Sequence, residues 1–176
     1  MNYEQKARMG KLTAPRLLNK DDNRDNFDCG EAAINHWFQR HAWRNQSSDA
    51  SRTYVITEVE TGCIAGYVAL ATGHIERECL TKQDQRNKPD PAPILLLGQL
   101  AIDVRQQGRG LGSDLLQYAF RTAIAVSEKV GVVGVVTHPI NEKAYRFYQR
   151  YGFFRHINTP DKALFVRISD LKCAIR

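Results

Sequence analysis

The segment 105–112, RQQGRGLG, sets Gly108, Gly110 and Gly112 between an apolar stretch and a run with helical spacing. Glycines let backbone amides approach an anion closely. The first N–H groups of a helix have no internal acceptor, and the helix dipole is positive there. The segment therefore predicts an anion site that holds a pyrophosphate. A dinucleotide loop needs GxGxxG with an acidic residue about 20 positions on, and a triphosphate loop ends in Gly-Lys followed by Ser or Thr. Neither pattern is present. A second informative segment, HPINEKAYRFYQRYGFF at 138–154, offers Asn141 as a helix cap and Tyr148 as a phenol. A phenol stays protonated at neutral pH and can act as a general acid. His74, Glu76 and His138 are the groups open to consideration as a base.

These residues need elements to hold them. Residues 95–104 are apolar enough for a buried strand that runs directly into the glycines. Leu115, Leu116, Ala119, Phe120, Ala123 and Ile124 give residues 113–126 the spacing of an amphipathic helix. A valine-rich strand at 131–137 follows, then a helix from Asn141 through Tyr151 that Gly152 ends, and closing strands at 153–155 and 164–168. Upstream, Asp28 and Glu31 read as a capping box for one helix to Asn45, with Ile34, Trp37, Phe38 and His41 as its buried stripe. His36, Arg40 and Arg44 fall on an adjacent basic stripe, and Trp43 is expected to pack under the N-terminal arm. Residues 51–58 and 63–71 read as a hairpin turning at Glu60, Thr61 and Gly62, and residues 81–93 as an exposed loop. The first 26 residues are polar, with a strand around Leu17 and Leu18 or a mobile start. The order predicts an α/β fold: one domain over 1–176, residues 1–12 flexible, with a mixed sheet carrying helices on both faces.

Composition sets bounds. With 176 residues and 43% hydrophobic side chains, the chain can bury a sizeable core. Its apolar runs are too short to span a membrane and its start has no signal core, so a cytoplasmic protein is expected. Four widely separated cysteines show no metal-ligand spacing and read as reduced thiols; no metal is expected. The net charge of +6 divides into +1 over residues 1–88 and +5 over 89–176, which suits a phosphate-bearing cofactor or nucleic acid.

The pattern Arg/Gln-x-x-Gly-x-Gly at 105–110 resembles the acetyl-CoA loop of the GNAT N-acetyltransferases. Asn141, Ala144, Phe147-Tyr148 and Gly152-Phe153 resemble their second signature. The stretches FDCGEAAINHWFQRHAWRNQ, ASRTYV, IAGYVALATG, NKPDPAPILLLGQLAID and FYQRYGF are similar to the tRNA-acetylating toxins of the GNAT type, which are paired in bacteria with ribbon-helix-helix antitoxins. The likeness covers roughly residues 11–168. It implies the GNAT acyl-CoA N-acyltransferase fold, with a mixed, mostly antiparallel sheet, and acetyl transfer to the free α-amine of aminoacyl-tRNA, blocking translation. It also implies a homodimer, a ribbon-helix-helix antitoxin, and contact with operator DNA only through that antitoxin.

On this reading the backbone of Ala101, Ile102 and Val104 pairs with the pantetheine arm, and Gln107, Gly108, Arg109, Gly110, Leu111 and Gly112 hold the pyrophosphate. Ser113 helps at the helix start, Asn141 bonds the pantetheine arm, and Tyr148 is the catalytic acid. Arg40, Arg44, Lys143, Arg146 and Arg150 are candidates for tRNA phosphates. Gln99 stands where the family more often has Arg. The alternatives are acetylation of a protein N-terminus, lysine or small amine on the same scaffold, and a nucleic-acid-binding protein without catalysis.

Overall fold

β-branched residues over Arg52–Thr57 make strand β2, and Ile64–Ile75 makes strand β3. The turn joining them is closed by Glu58 N–H to the Cys63 carbonyl at 2.9 Å, and Gly62 supplies a φ of +70° that other residues rarely adopt. The computed structural model describes residues 11–150 and 155–174. Its remaining strands are β1 (Arg16–Leu17), β4 (Ala92–Ile102), β5 (Gly134–Thr137), β6 (Arg155–His156) and β7 (Leu164–Arg167). The helices are α1 (Ala32–Arg40), α2 (Ala42–Ser47), α3 (Lys82–Gln85), α4 (Leu111–Ser127), α5 (Glu142–Arg150) and α6 (Ile168–Ala174). The strands form a seven-stranded sheet in the order β1-β2-β3-β4-β5-β7-β6. β4 and β5 are parallel, with Leu97 opposite Thr137, while β1–β2, β5–β7 and β6–β7 are antiparallel. This is the mixed sheet expected.

The chain divides into two compact units, residues 1–69 with 99–116, and 70–98 with 117–176. The first has an aromatic core. Phe38 stacks on Tyr67 at 4.0 Å, and Phe27 meets both edge-on at 4.9 and 5.3 Å, with Leu18, Ala42, Val55, Ile64 and Ala101 around them. Trp43 is half-buried against this cluster. The second unit packs Leu80, Ala92, Ile94, Val136, Ile157, Ala163 and Phe165 together. It also buries Asp84, whose carboxylate lies 3.5 Å from both Arg155 and Arg167. Asp170 bonds the same two guanidinium groups at 3.1 and 3.0 Å.

Several elements differ from the sequence reading. Residues 28–45 make two helices, since the chain bends at His41, which is half-buried. No capping box forms: Glu31 occupies the cap position and its side chain does not bond the first helix amides, while Asp28 accepts from Gly30 N–H (2.8 Å) and Asn35 Nδ2 (2.7 Å). The left-handed turn at Gly30 explains this, because it draws the Asp28 carboxylate onto the nearer amide. Residues 81–93 are not all exposed loop. α3 lies within them, buried at Asp84, and β4 begins at Ala92. β4 stops at Ile102 rather than 104: Asp103 caps a short 3-10 turn, and Val104 N–H bonds the Asp28 carbonyl at 2.8 Å. β3 runs four residues further than 71, and β5 starts at Gly134 rather than 131. α6 follows β7 where the reading had strand to 168. Residues 1–10 of the start expected to be flexible over 1–12, and Tyr151, Gly152 and Phe153, lie outside the described residues.

Gly134 is a close-approach position. A Cβ there would overlap the Phe165 ring and the Val166 carbonyl, which belongs to the backbone of the paired strand and cannot turn aside. Gly134→Ala is expected to lower stability by about 2 kcal/mol, measured as a fall in the urea unfolding midpoint with an unchanged slope.

Candidate active site

The glycine segment is held by one buried carboxylate. Asp103, 1% exposed, accepts from Arg105 N–H (3.0 Å), Arg105 Nε (2.7 Å), Arg105 Nη2 (2.8 Å) and Asp28 N–H (3.2 Å). Burial pushes its pKa up, but the Arg105 fork and the two backbone donors outweigh burial and hold it below the ordinary carboxylate range. The Arg105 guanidinium is raised in turn by its bond to Asp103. Gln107 donates through Nε2 to the carbonyls of Cys29 and Ile102, both at 3.0 Å. Arg109 bonds the Gln106 side chain, which donates to Glu58 at 2.5 Å. The segment is thus tied down on both sides of its glycines.

The glycines themselves are open. Gly108 and Gly110 take φ of +77° and +85°, and a Cβ on either would meet no atom within 4 Å. They are required by backbone conformation rather than by crowding. α4 begins directly at Leu111, with Asp114 N–H on the Gly110 carbonyl at 3.1 Å. The amides of Leu111, Gly112 and Ser113 therefore belong to the helix turn that lacks intrahelical acceptors. Along 107–113 the exposed residues are Gln107, Gly108 and Gly110, and they lead into the positively polarised first turn of α4. Ala101 and Ile102 lie at the end of β4 just before it, and Val104 lies in the turn rather than the strand.

In the second unit, Asn141 caps α5 by accepting from Ala144 N–H at 2.9 Å. Tyr148 is the buried residue of this helix, 5% exposed, with Phe147 edge-on at 5.3 Å. Thr137, which ends β5 in the same unit, donates through Oγ1 to the Leu97 carbonyl at 3.0 Å. Burial is the dominant influence and pushes the phenol up to about 12, against a smaller downward pull from Thr137. Tyr148 is therefore a proton donor throughout the neutral range. Lys143, Arg146 and Arg150 are exposed on the same helix, with Arg146 bonded to Glu142 at 3.0 Å. Arg40 and Arg44 are exposed on α1 and α2 of the first unit. Of the groups considered as a base, His74 and Glu76 are exposed, and His138 Nε2 pairs with Asp161 at 3.1 Å.

Sequence reasoning did not single out Asp103 or Thr137. The signal for Asp103 was its place at the strand end, two residues before Arg105, the spacing of an Asx turn closed by a fork. The signal for Thr137 was a hydroxyl at the end of a run of valines.

Residues 17–153 match the model of the acetyltransferase (GNAT) family. A tRNA-acetylating toxin of Mycobacterium tuberculosis is 32% identical over 145 residues, covering 82% of this chain and 86% of that protein. The structure of AtaT complexed with acetyl-methionyl-tRNAfMet superposes with a TM-score of 0.85 at 30% identity, covering 94% of this chain and 100% of that one. A tyrosine-to-phenylalanine mutant of AtaT, bound to acetyl-CoA and the C-terminus of the antitoxin AtaR, gives a TM-score of 0.78 at 28% identity, covering 93% and 98%.

Asp103→Asn replaces a carboxylate that answers four donors with an amide that answers fewer, at an expected cost of about 2 kcal/mol at neutral pH. Because the carboxyl is depressed in the fold, its stabilisation is complete above the ordinary carboxylate range and is lost as pH falls through the folded value. Urea unfolding of both proteins should therefore show a gap that closes on acidification.

Proposed function

The chain belongs to the GNAT family of acetyltransferases, and we propose that it transfers the acetyl group of acetyl-CoA to the α-amine of the amino acid on charged tRNA. The observation that carries this reading is the full-length similarity to a toxin solved with its acetylated aminoacyl-tRNA, at 30% identity and a TM-score of 0.85. The relative from Mycobacterium tuberculosis, itself a tRNA-acetylating toxin, supports it independently.

In this reading the amides of residues 107–113 hold the CoA pyrophosphate, and the ends of Ala101 and Ile102 offer the pantetheine amides an added strand. The open space above Gly108 and Gly110 fits that use. The amine lone pair attacks the thioester carbon, and the carbonyl π electrons move to oxygen. As the tetrahedral intermediate collapses, the C–S pair leaves with sulfur, and Tyr148 gives its proton to the thiolate. The proton shed by the acylated nitrogen restores the phenol, so the sum is amide plus free CoA. An α-amine with a pKa near 8 is appreciably neutral at physiological pH, whereas a lysine is only roughly 0.1% neutral. An aminoacyl ester thus reacts without a strong base, which suits a chain whose His74 and Glu76 are exposed. Asn141 orders the start of α5 and stands beside the pantetheine arm. Arg40, Arg44, Lys143, Arg146 and Arg150 meet tRNA phosphates. The protein acts as a homodimer and is held inactive by a ribbon-helix-helix antitoxin, through which alone it reaches operator DNA; the AtaT–AtaR complexes support an antitoxin partner.

The test is transfer of label from radiolabelled acetyl-CoA to total charged tRNA, with deacylated tRNA as control. Label is expected on charged tRNA alone and is released by mild base as N-acetyl amino acid. Label on proteins or small amines instead would overturn the reading. Tyr148→Phe should lower kcat about 100-fold or more with little change in KM for acetyl-CoA. The pH–rate profile of the native enzyme should rise as the amine deprotonates and show no descending limb up to about pH 10, because burial keeps Tyr148 protonated there.

A further inference from the structure

His138 follows Thr137, the last residue of β5, where β5 leaves the edge of β4. Thr137 stands opposite Leu97, and β4 runs on without β5 to Ile102. Gly98, the next residue of β4, is exposed. With the CoA pyrophosphate on 107–113 and the pantetheine amides on Ala101 and Ile102, the sulfur end points back along β4 toward Gly98. The thioester then arrives where the two strands part, and His138 is the first residue past that point.

A carboxylate from another element stands beside the imidazole. His138 Nε2 lies 3.1 Å from Oδ2 of Asp161, in the turn between β6 and β7. The turn holds Asp161 firmly: Ile157 N–H meets the Ala163 carbonyl at 3.2 Å, Lys162 N–H meets the Thr159 carbonyl at 3.1 Å, and Thr159 Oγ1 accepts from Ala163 N–H at 3.0 Å. Lys162 closes it with a φ of +52°, which a lysine rarely adopts. A carboxylate beside one ring nitrogen favours the proton there and leaves the other nitrogen its lone pair. His74 and Glu76 have no charged partner among the described residues. The pair remains open to solvent, with side chains 46% and 55% exposed.

We propose that His138 is the general base of the transfer, taking a proton from the attacking α-amine at Nδ1, with Asp161 as the positioning residue that sets its tautomer. Even a neutral amine becomes a cation on bonding to the thioester carbon, and collapse of that species expels the amine again. Loss of one N–H proton makes the thiolate the better leaving group. The N–H bond breaks, its electron pair stays on nitrogen, and the proton bonds to Nδ1, where the Asp161 charge stabilises the imidazolium. Tyr148 protonates the thiolate. The imidazolium then releases its proton to water and the phenolate takes one back, so both side chains return to their starting states.

The inference rests on acetylation of charged tRNA, and the experiment separates the two. Steady-state kinetics with acetyl-CoA and charged tRNA are measured at neutral pH for His138→Ala, His138→Gln and Asp161→Asn. Both His138 variants should lower kcat about 100-fold with KM for acetyl-CoA unchanged. Both should keep the native urea midpoint, since an exposed ion pair contributes little to stability. Imidazole added to His138→Ala should restore the rate in proportion to its concentration, whereas pyrazole, of the same shape but hardly basic, should not. Asp161→Asn should lower kcat about fivefold and cost nothing further on the His138→Ala background. Ring-nitrogen NMR of neutral His138 should show the proton on Nε2 in the native protein and a mixture of tautomers in Asp161→Asn. Native kcat in either His138 variant, equal rescue by pyrazole, or a native ring protonated on Nδ1 would overturn the role of His138 while label still reaches charged tRNA. A native enzyme that puts no label on charged tRNA would overturn the reading beneath it.

Discussion

A carboxylate removed from water persists only where its lone pairs are answered, and Asp103 has four N–H donors to answer them. Two come from the Arg105 side chain and two from backbone, one of them Asp28, 75 positions earlier in the chain. The same junction fixes Val104 through the Asp28 carbonyl and Gln107 through the carbonyls of Cys29 and Ile102. The side chains of Arg105, Gln106 and Gln107 are thus bonded to the protein itself, while Arg109 keeps an unbonded Nε. What the segment chiefly leaves for a ligand is backbone, and backbone amides reorganise little when an anion arrives.

Two buried tyrosines show how position sorts one residue type into two roles. Burial raises both phenols. Tyr67 donates to the Ile34 carbonyl at 3.4 Å, in the stack with Phe38 and Trp37. A carbonyl can only accept, so that bond exists for the neutral phenol alone and reinforces a structural role. On Tyr148 the Thr137 hydroxyl, which can accept or donate, pulls the phenol back down against burial.

Much of this was legible in the residues. The spacing of Leu115, Leu116, Ala119, Phe120 and Ala123 announced α4, and all five are buried. The glycine segment announced a backbone that an anion can approach, and the space at Gly108 and Gly110 is open. What periodicity does not carry is long-range pairing. Asp84 sits in a polar stretch that reads as loop, and Arg155 and Arg167, 71 and 83 positions away, make it a buried anchor. Thr137 likewise read only as a strand residue, since its buried hydroxyl is answered by the Leu97 carbonyl of another strand. The capping box was misread for a local reason: the Gly30 turn offered Asp28 a nearer donor than the helix did.

The strand order has a consequence for biosynthesis. β5 lies beside β7, which is made thirty residues later in the chain, at Leu164–Arg167. Asp84 must likewise wait for Arg155 and Arg167 before its charge is answered. A ribosome makes these partners after the glycine segment and Tyr148, so a nascent chain that already carries both still lacks β7 and the two cations. A chain abandoned at that point is therefore unfinished in structure as well as in length. If the product acts on the translation machinery, competence waits until β7 has been made.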